Sequence, residues 1–560
     1  MTQKTQNIIY LTILFLLLLL PALYTTATAI DLEYSWIKRI AYIIVVIVLL
    51  LVPALFLKSK LYFFVEGIFN FLFFPIEIAS LYLNRQPTSM AFLGNILNTD
   101  IHEATELLGS IWPICIAVVF LWIIYFVLVG QVQNTYLVNR HIQKWMFCCL
   151  GIVIIGGIFY LWKYERQVHS TRPICTSIKD VKDDILKKFY KIYPYNLYIE
   201  LADIIHSCAD QERWQQEISS FSFGIQPIEQ QQPVMYILVI GETSRYDHWS
   251  INGYIRNTTP RLMQCHNIIS YDSAFSQANL TSYSVPLILT RATAQKPELA
   301  YKEKSLPEAF QEAHFQAGWI TKQTPIPLAS RIMETCDFSY SYAKEIDVDG
   351  NYDIDLVNKL HEFTADTMQF FVLHSLGCHF RYEQRYPQEF AIFQPTFNKS
   401  FSYSLIKEEN KDKLINAYDN AILYTDYFLS ELIHYIDSLD KPTVIMYMSD
   451  HGESFWDDER KLSMHGSYQI SKYEYHVPLI VWYSDEYEAQ NPQKVAAMWQ
   501  NKATPVSSDV VFYSLLDIAG IEDIVDSTRS ICSPNLKSTD TIWVQTGSGE
   551  VLPFATNYQE

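Results

Sequence analysis

In the first third of the chain apolar positions do not alternate with polar ones. They fuse into five runs, at 8–28, 40–57, 61–83, 110–130 and 145–163, typified by "IIYLTILFLLLLLPALY" and "IAYIIVVIVLLLVPALFL". Each is close to the roughly 20 residues a helix needs to cross the hydrocarbon core. No comparable run follows Trp162. The pattern predicts five membrane spans with a soluble part hung from them. The small residues "ATA" at 27–29 resemble a signal-peptidase site. The length of the first run and the four spans behind it favour an uncleaved anchor.

Basic residues orient the spans. Lys4, Lys58, Lys60, Arg140 and Lys144 fall on one side; Lys38, Arg39 and Arg85 fall on the other. The excess predicts a cytoplasmic N-terminus, and five spans then place residues 164–560 outside. Charged and aromatic residues mix in "DVKDDILKKFYKIYPYNLYIELADII", which predicts linker helices near the bilayer. The polar "EQQQP" at 229–233 marks a boundary. The expected organisation is a transmembrane domain over 1–163, a linker over 164–233 and a soluble domain over 234–560.

From residue 234 the period changes. "VMYILVI", "FFVLH", "TVIMYM" and "PLIVWY" are short β-rich runs, most of them followed at once by polar residues. Continuous apolar strands suit a sheet buried on both faces. Between them lie helical stripes, the clearest over 412–437 with Leu414, Ala417, Ala421, Tyr424, Phe428 and Leu432. The prediction is an α/β sandwich with a mostly parallel central sheet, whose ligands bind beyond the carboxyl ends of the strands.

Composition narrows the partners. A net charge of −18 argues against a nucleic-acid binder. Six of the nine cysteines (Cys175, Cys208, Cys265, Cys336, Cys378 and Cys532) lie outside the spans, where disulfides can persist, in any of fifteen full pairings.

The chemistry collects at strand ends. "VMYILVIG" runs into Glu242 and Thr243, "TVIMYMS" into Asp450, His451, Gly452 and Glu453, and "FFVLH" into a loop carrying His379; His465 follows in "SMHGS". Each has an ordinary reading by itself, as a turn, a helix-start carboxylate or a surface histidine. His374 reads as a core histidine. Together the four features form a mixed nitrogen and oxygen donor set, which suits Zn²⁺ better than the all-oxygen shells of Ca²⁺ and Mg²⁺. Thr281, ahead of the apolar run in "ANLTSYSVPL", reads alone as a helix cap.

Four stretches carry a resemblance: "GETSRYDHWSINGYIRNTTPRL" (241–262), "LTSYSVP" (280–286), "GCHFRYEQRYPQEF" (377–390) and "MSDHGESF…SMHG" (448–466). They resemble the phosphoethanolamine transferases of Gram-negative bacteria, members of the alkaline phosphatase and sulfatase superfamily; "NTDIHEATELL" (98–108) is similar to that family as well. The resemblance implies five spans and a periplasmic α/β domain of alkaline phosphatase/sulfatase type in the bacterial inner membrane. It implies zinc held by Glu242, Thr281, Asp450 and His451, with Thr281 as the nucleophile. His379 and His465 match the two histidines that bind substrate phosphate or a second zinc. The implied donor is phosphatidylethanolamine and the acceptor is lipopolysaccharide or another envelope glycan; a monomer is expected. Lipid A-modifying members carry a cysteine shortly before the nucleophile, where this chain reads "SQANL", which leans towards the core-sugar branch.

Competing activities lack their residues. A sulfatase nucleophile needs Cys/Ser-x-Pro-x-Arg, and "CSPNL" (532–536) has no arginine. A membrane zinc protease needs HExxH, and "HEFTA" (361–365) has no second histidine. A phosphoglycerol transferase shares the plan of spans and threonine, but "GYIRNTTP" and "YSVP" speak against it. A phosphodiesterase differs in water exclusion, which the residues do not reveal. A non-catalytic membrane sensor would have lost site residues that are all present here.

Overall fold

The computed structural model describes residues 2–29, 36–89, 93, 101–139, 144–145, 189, 192–202, 217–228, 232–323, 326–342, 352–397, 405–538 and 541–556, with the backbone alone at 83–84, 101–111 and 114. The chain divides into two compact units, Met1–Ser207 and Cys208–Glu560.

In the first unit, three helical segments are long and apolar enough to cross a membrane: Gln3–Thr28, Trp36–Ala54 and Ser59–Tyr82. A shorter apolar stretch, Cys115–Gln131, belongs to the helix Ile101–Gln131. The third segment is two helices, Ser59–Phe71 and Phe74–Asn84, the second opening with Pro75 in its first turn, where the missing N–H costs nothing. Gly67 lets the Tyr125 ring pack where a Cβ would come within 2.3 Å of it, and the Tyr125 hydroxyl donates to the Phe63 carbonyl at 2.7 Å. Small residues and backbone-directed hydroxyls join helices in this way in lipid. Of the expected fifth span, 145–163, all but Trp145 lies outside the described residues, as do most of the expected linker helices.

The second unit is built on a seven-stranded sheet: β1 (Val234–Gly241), β2 (Ile268–Ser270), β3 (Gln316–Thr321), β4 (Phe338–Ser341), β5 (Met368–His374), β6 (Thr443–Ser449) and β7 (Leu479–Tyr483). Their order is β2-β7-β6-β1-β5-β3-β4. All neighbours are parallel except those of β7, which is antiparallel to both β2 and β6. The sheet is therefore mixed, with a parallel centre. Along β1, Val234, Tyr236, Leu238 and Ile240 enter one core while Met235, Ile237 and Val239 enter the other. That alternation, apolar on both faces, is what burial between two helical layers requires. The helix Lys411–Asp437 contributes Leu414, Ala417, Ala421, Tyr424, Phe428 and Leu432 to the second core, the stripe expected from the sequence.

Candidate active site

The strand register makes the site. β1 and β6 are parallel neighbours with Gly241 opposite Ser449, and the Asp450 N–H donates to the Gly241 carbonyl at 3.1 Å. The next residue of each strand is a carboxylate, so Glu242 and Asp450 leave the sheet side by side. Glu242, Asp450 and His451 are all 0% exposed, and among the described residues they form the single cluster of histidine and carboxylate groups able to hold a metal ion.

Thr281 is not a cap. It is the first residue of the helix Thr281–Leu289, whose N-cap is Leu280 without a side-chain capping bond. Its Oγ1 instead lies 3.3 and 3.4 Å from the two Glu242 oxygens and 3.2 Å from His451 Nε2. The cap expected from the sequence fails because the hydroxyl has partners across the site; the Tyr283 N–H donates to the Leu280 carbonyl at 3.0 Å, which leaves the N–H groups of Thr281 and Ser282 to an anion.

The cluster fits a zinc ion on several grounds. His451 Nδ1 faces the Gly452 carbonyl at 2.9 Å; a carbonyl can only accept, so the proton sits on Nδ1 and the Nε2 lone pair faces the carboxylates. Asp450 Oδ2 is buried without a hydrogen-bond partner. His451 Nε2 stands 3.4 Å from that oxygen and 3.7 Å from Glu242 Oε1. Four ligands held tetrahedrally at zinc–ligand lengths of about 2.0–2.2 Å lie roughly 3.3–3.6 Å apart. Electrostatics agree: burial, and then the facing Asp450 charge, push the Glu242 carboxyl well above its usual range. Two buried carboxylates in contact call for a cation.

The backbone around the cluster is strained. Thr243 has φ of 57°, costly for a β-branched residue, yet this conformation lets its N–H donate to Asp450 Oδ1 at 3.0 Å and its hydroxyl to Glu242 Oε1 at 2.6 Å. The Tyr418 hydroxyl holds the Thr243 carbonyl at 2.7 Å. Gly377, with φ of 45°, sits where a Cβ would come within 2.9 Å of the Glu242 carbonyl. Gln323, which nothing in the sequence marks, donates from Nε2 to Glu242 Oε2 at 2.9 Å and to the Ser375 carbonyl at 2.8 Å.

His379 and His465 stand beside this cluster. The His465 ring centroid is 4.2 Å from that of His451. Burial, then the Arg385 charge and the two neighbouring histidines, push His379 down to about 3, and its Nδ1 donates to the Phe380 carbonyl at 2.6 Å. Burial acts on His465 in the same direction, but the Glu453 carboxylate, 3.2 Å from Nδ1, outweighs it and raises its pKa. Glu453 also accepts from the Tyr382 hydroxyl at 2.9 Å. Its place in "DHGE" was a usable signal; its pairing with His465 was not. Glu474, fully buried, accepts from Asn279, Ser454 and the backbone and hydroxyl of Ser467, joining the loops that carry Thr281 and His465.

All six expected site residues thus converge. His374, buried at the end of β5, is the core histidine the sequence suggested. Cys532 of "CSPNL" lies in the core rather than in the site. Cys265, Cys336, Cys378 and Cys532 are free thiols, with Cys378 and Cys532 in cores on opposite faces of the sheet, so these four do not supply the disulfides that the even count suggested.

Comparison with known proteins matches residues 235–521 to the sulfatase family. The chain belongs to that family. This sulfatase-family protein is 32% identical over 305 residues to the phosphoethanolamine transferase EptA of Salmonella typhimurium, covering 51% of the present chain and 53% of that one. It spans about half the length of the curated relatives it matches. The resemblance read from the motifs holds in these relatives. Its fold is shared with the integral membrane lipooligosaccharide phosphoethanolamine transferase A of Neisseria meningitidis (TM-score 0.64, 20% identity, 84% of this chain and 89% of that one). It is shared also with the C-terminal periplasmic domain of EptC from Escherichia coli, a structure in complex with Zn (TM-score 0.54, 23% identity, 60% of this chain and 95% of that one).

Proposed function

We propose that the protein is a zinc-dependent phosphoethanolamine transferase of the bacterial inner membrane. It moves the group from phosphatidylethanolamine to an envelope glycolipid, lipid A or the lipopolysaccharide core, through a phospho-Thr281 intermediate. The observation that carries this reading is the Thr281 hydroxyl, at 3.2–3.4 Å from His451 and Glu242 beside the unpartnered Asp450 oxygen.

Glu242, Thr281, Asp450 and His451 would hold one zinc ion, and His379 with His465 the substrate phosphate or a second. Bound zinc lowers the pKa of the threonine hydroxyl and withdraws electron density from the phosphoryl group. Thr281, its hydroxyl proton released to solvent, attacks phosphorus through Oγ; the bond from phosphorus to the diacylglycerol oxygen breaks, and that oxygen takes a proton from His465. His465 is suited to the task because Glu453 favours its protonated form. In the second half, an acceptor phosphate or hydroxyl oxygen attacks phosphorus, Thr281 Oγ departs and takes a proton from solvent, and His465 is reprotonated by the acceptor hydroxyl or, for a phosphate acceptor, from solvent. The N–H groups of Thr281 and Ser282 donate to the phosphoryl oxygens.

The surrounding architecture follows the same reading. Five spans over 1–163, including 145–163, place the linker 164–233 and the catalytic domain 234–560 in the periplasm, where lipid donor and lipid-anchored acceptor are both concentrated. The enzyme acts as a monomer.

Intact-protein mass spectrometry after incubation with phosphatidylethanolamine and zinc tests this. A phosphoethanolamine adduct mapped to Thr281, absent from Thr281→Ala, is expected. An adduct persisting in Thr281→Ala would overturn the nucleophile; a folded, zinc-loaded wild type without any adduct would overturn the donor.

A further inference from the structure

Ionisable side chains are rare inside membrane segments because an unpaired charge there is costly. Glu77 is such a group. It lies in the third apolar segment, about two turns before the end of the helix Phe74–Asn84, and is 0% exposed. Its Oε2 accepts from the Thr88 N–H at 2.9 Å and from Asn196 Nδ2 at 3.2 Å; the same Asn196 amide donates to the Thr88 carbonyl at 3.2 Å. These bonds draw three separated stretches of chain around one carboxylate.

What they leave over is specific. Glu77 Oε1, Asn196 Oδ1 and Thr88 Oγ1 are buried without partners, and so is the side-chain amide of Gln86, two residues before Thr88. Thr88 is 1% exposed and Asn196 0%. Among the described residues no lysine, arginine or histidine pairs with Glu77. Buried polar atoms are normally paired, so several orphans around one charge mark a place where a partner belongs. Apart from the Gln86 amide nitrogen, a donor that cannot ligate a metal, the orphans are oxygens, with no imidazole or sulfur ligand, which disfavours a zinc-type ion. One negative charge and three unpaired oxygens, of Glu77, Thr88 and Asn196, match a group with one positive charge and three N–H donors, which is a primary ammonium.

We propose that Glu77, Thr88 and Asn196 bind the primary ammonium of an aminophospholipid headgroup. This rests on the proposed donor and orientation. With the N-terminus inside, the third span ends on the outer face, which puts Glu77 within reach of headgroups in the outer leaflet. The site then selects an aminophospholipid by its amine. A choline headgroup carries the same charge but no N–H donor, and it would leave all three oxygens unpaired.

Native mass spectrometry of the full chain in detergent tests this, with phosphatidylethanolamine, its N-methyl and N,N-dimethyl derivatives and phosphatidylcholine supplied in equal amounts. Wild type is expected to retain phosphatidylethanolamine over phosphatidylcholine by about tenfold, or about 1.4 kcal/mol. Retention should fall with each added methyl, and Glu77→Gln should abolish the preference while melting like wild type. Equal retention of all four lipids by wild type would overturn the proposal. So would an unchanged preference in Glu77→Gln, or retention that follows sodium concentration rather than headgroup. If Glu77→Gln does not fold, the methyl series on wild type decides. Thr281→Ala should keep the headgroup preference, so failure of the transferase reading, seen as no adduct on wild type, is distinguishable from failure here.

Discussion

Two regions of this molecule bury carboxylates without a lysine or arginine partner among the described residues, and they resolve the problem differently. At the ends of β1 and β6, Glu242 and Asp450 face each other with the bare Nε2 of His451 and the Thr281 hydroxyl alongside. In the first unit, the hydrogen bonds Glu77 accepts among the described residues come from amide N–H groups, beside oxygens left without partners. The charge deficit is similar in kind. The donor atoms differ, and they select the cation: an imidazole nitrogen with carboxylates favours zinc, whereas unpaired oxygens beside one charge favour N–H donors. Burial sets the need for a counter-charge, and the neighbouring side chains decide its identity.

The largest effect should come from breaking the first region alone. His451→Ala or Asp450→Asn is expected to abolish zinc binding and lower transfer by about a thousandfold or more, the scale of losing oriented charge at a reacting centre. Glu77→Gln should leave zinc content, measured by elemental mass spectrometry, at the wild-type value. If Glu77→Gln also lost zinc, the two regions would not be independent and the comparison would fail.

A smaller effect is expected one shell out. Gln323→Leu removes a donor to Glu242 without touching the ligand atoms. Zinc affinity, measured by chelator competition, should weaken by about 10–100-fold, as is usual when an outer partner of a ligand is lost. Gln323→Asn, whose amide is too short to reach both acceptors, should fall between wild type and Gln323→Leu.

The smallest predicted effect is in pH dependence. Burial and the Asp450 charge raise the Glu242 pKa above its ordinary 4.5 in the metal-free protein. A raised folded-state pKa means that the metal-free fold binds a proton the unfolded chain has released. Its contribution to stability is present at low pH and is lost as pH rises through that window. Zinc binding needs the same carboxylate deprotonated, so affinity falls as pH falls. The melting temperatures of loaded and chelator-treated protein should therefore converge on acidification, beginning above pH 4.5. Glu242→Gln should flatten the slope of the metal-free form.

Much of this protein could be read along the chain because its strongest signals are local. Runs of some twenty apolar residues can be little else than membrane helices, and "VMYILVIG" and "TVIMYMS" are too apolar for anything but strands buried on both faces. Glu242, Asp450, His451, Thr281, His379 and His465 were legible because each sits at a strand end or inside a motif. The tertiary structure decided everything that depends on distance between remote residues. The pairing of Gly241 with Ser449 places two carboxylates in contact, and Thr281 turns its hydroxyl to them instead of capping its helix. Gln323 reaches Glu242 from 81 residues away, and Asn196 reaches Glu77 from 119. Hydrophobic period is a property of neighbouring residues, so sequence carries it; hydrogen-bond partners and buried charge are properties of the packed chain, so they exist only once it has folded.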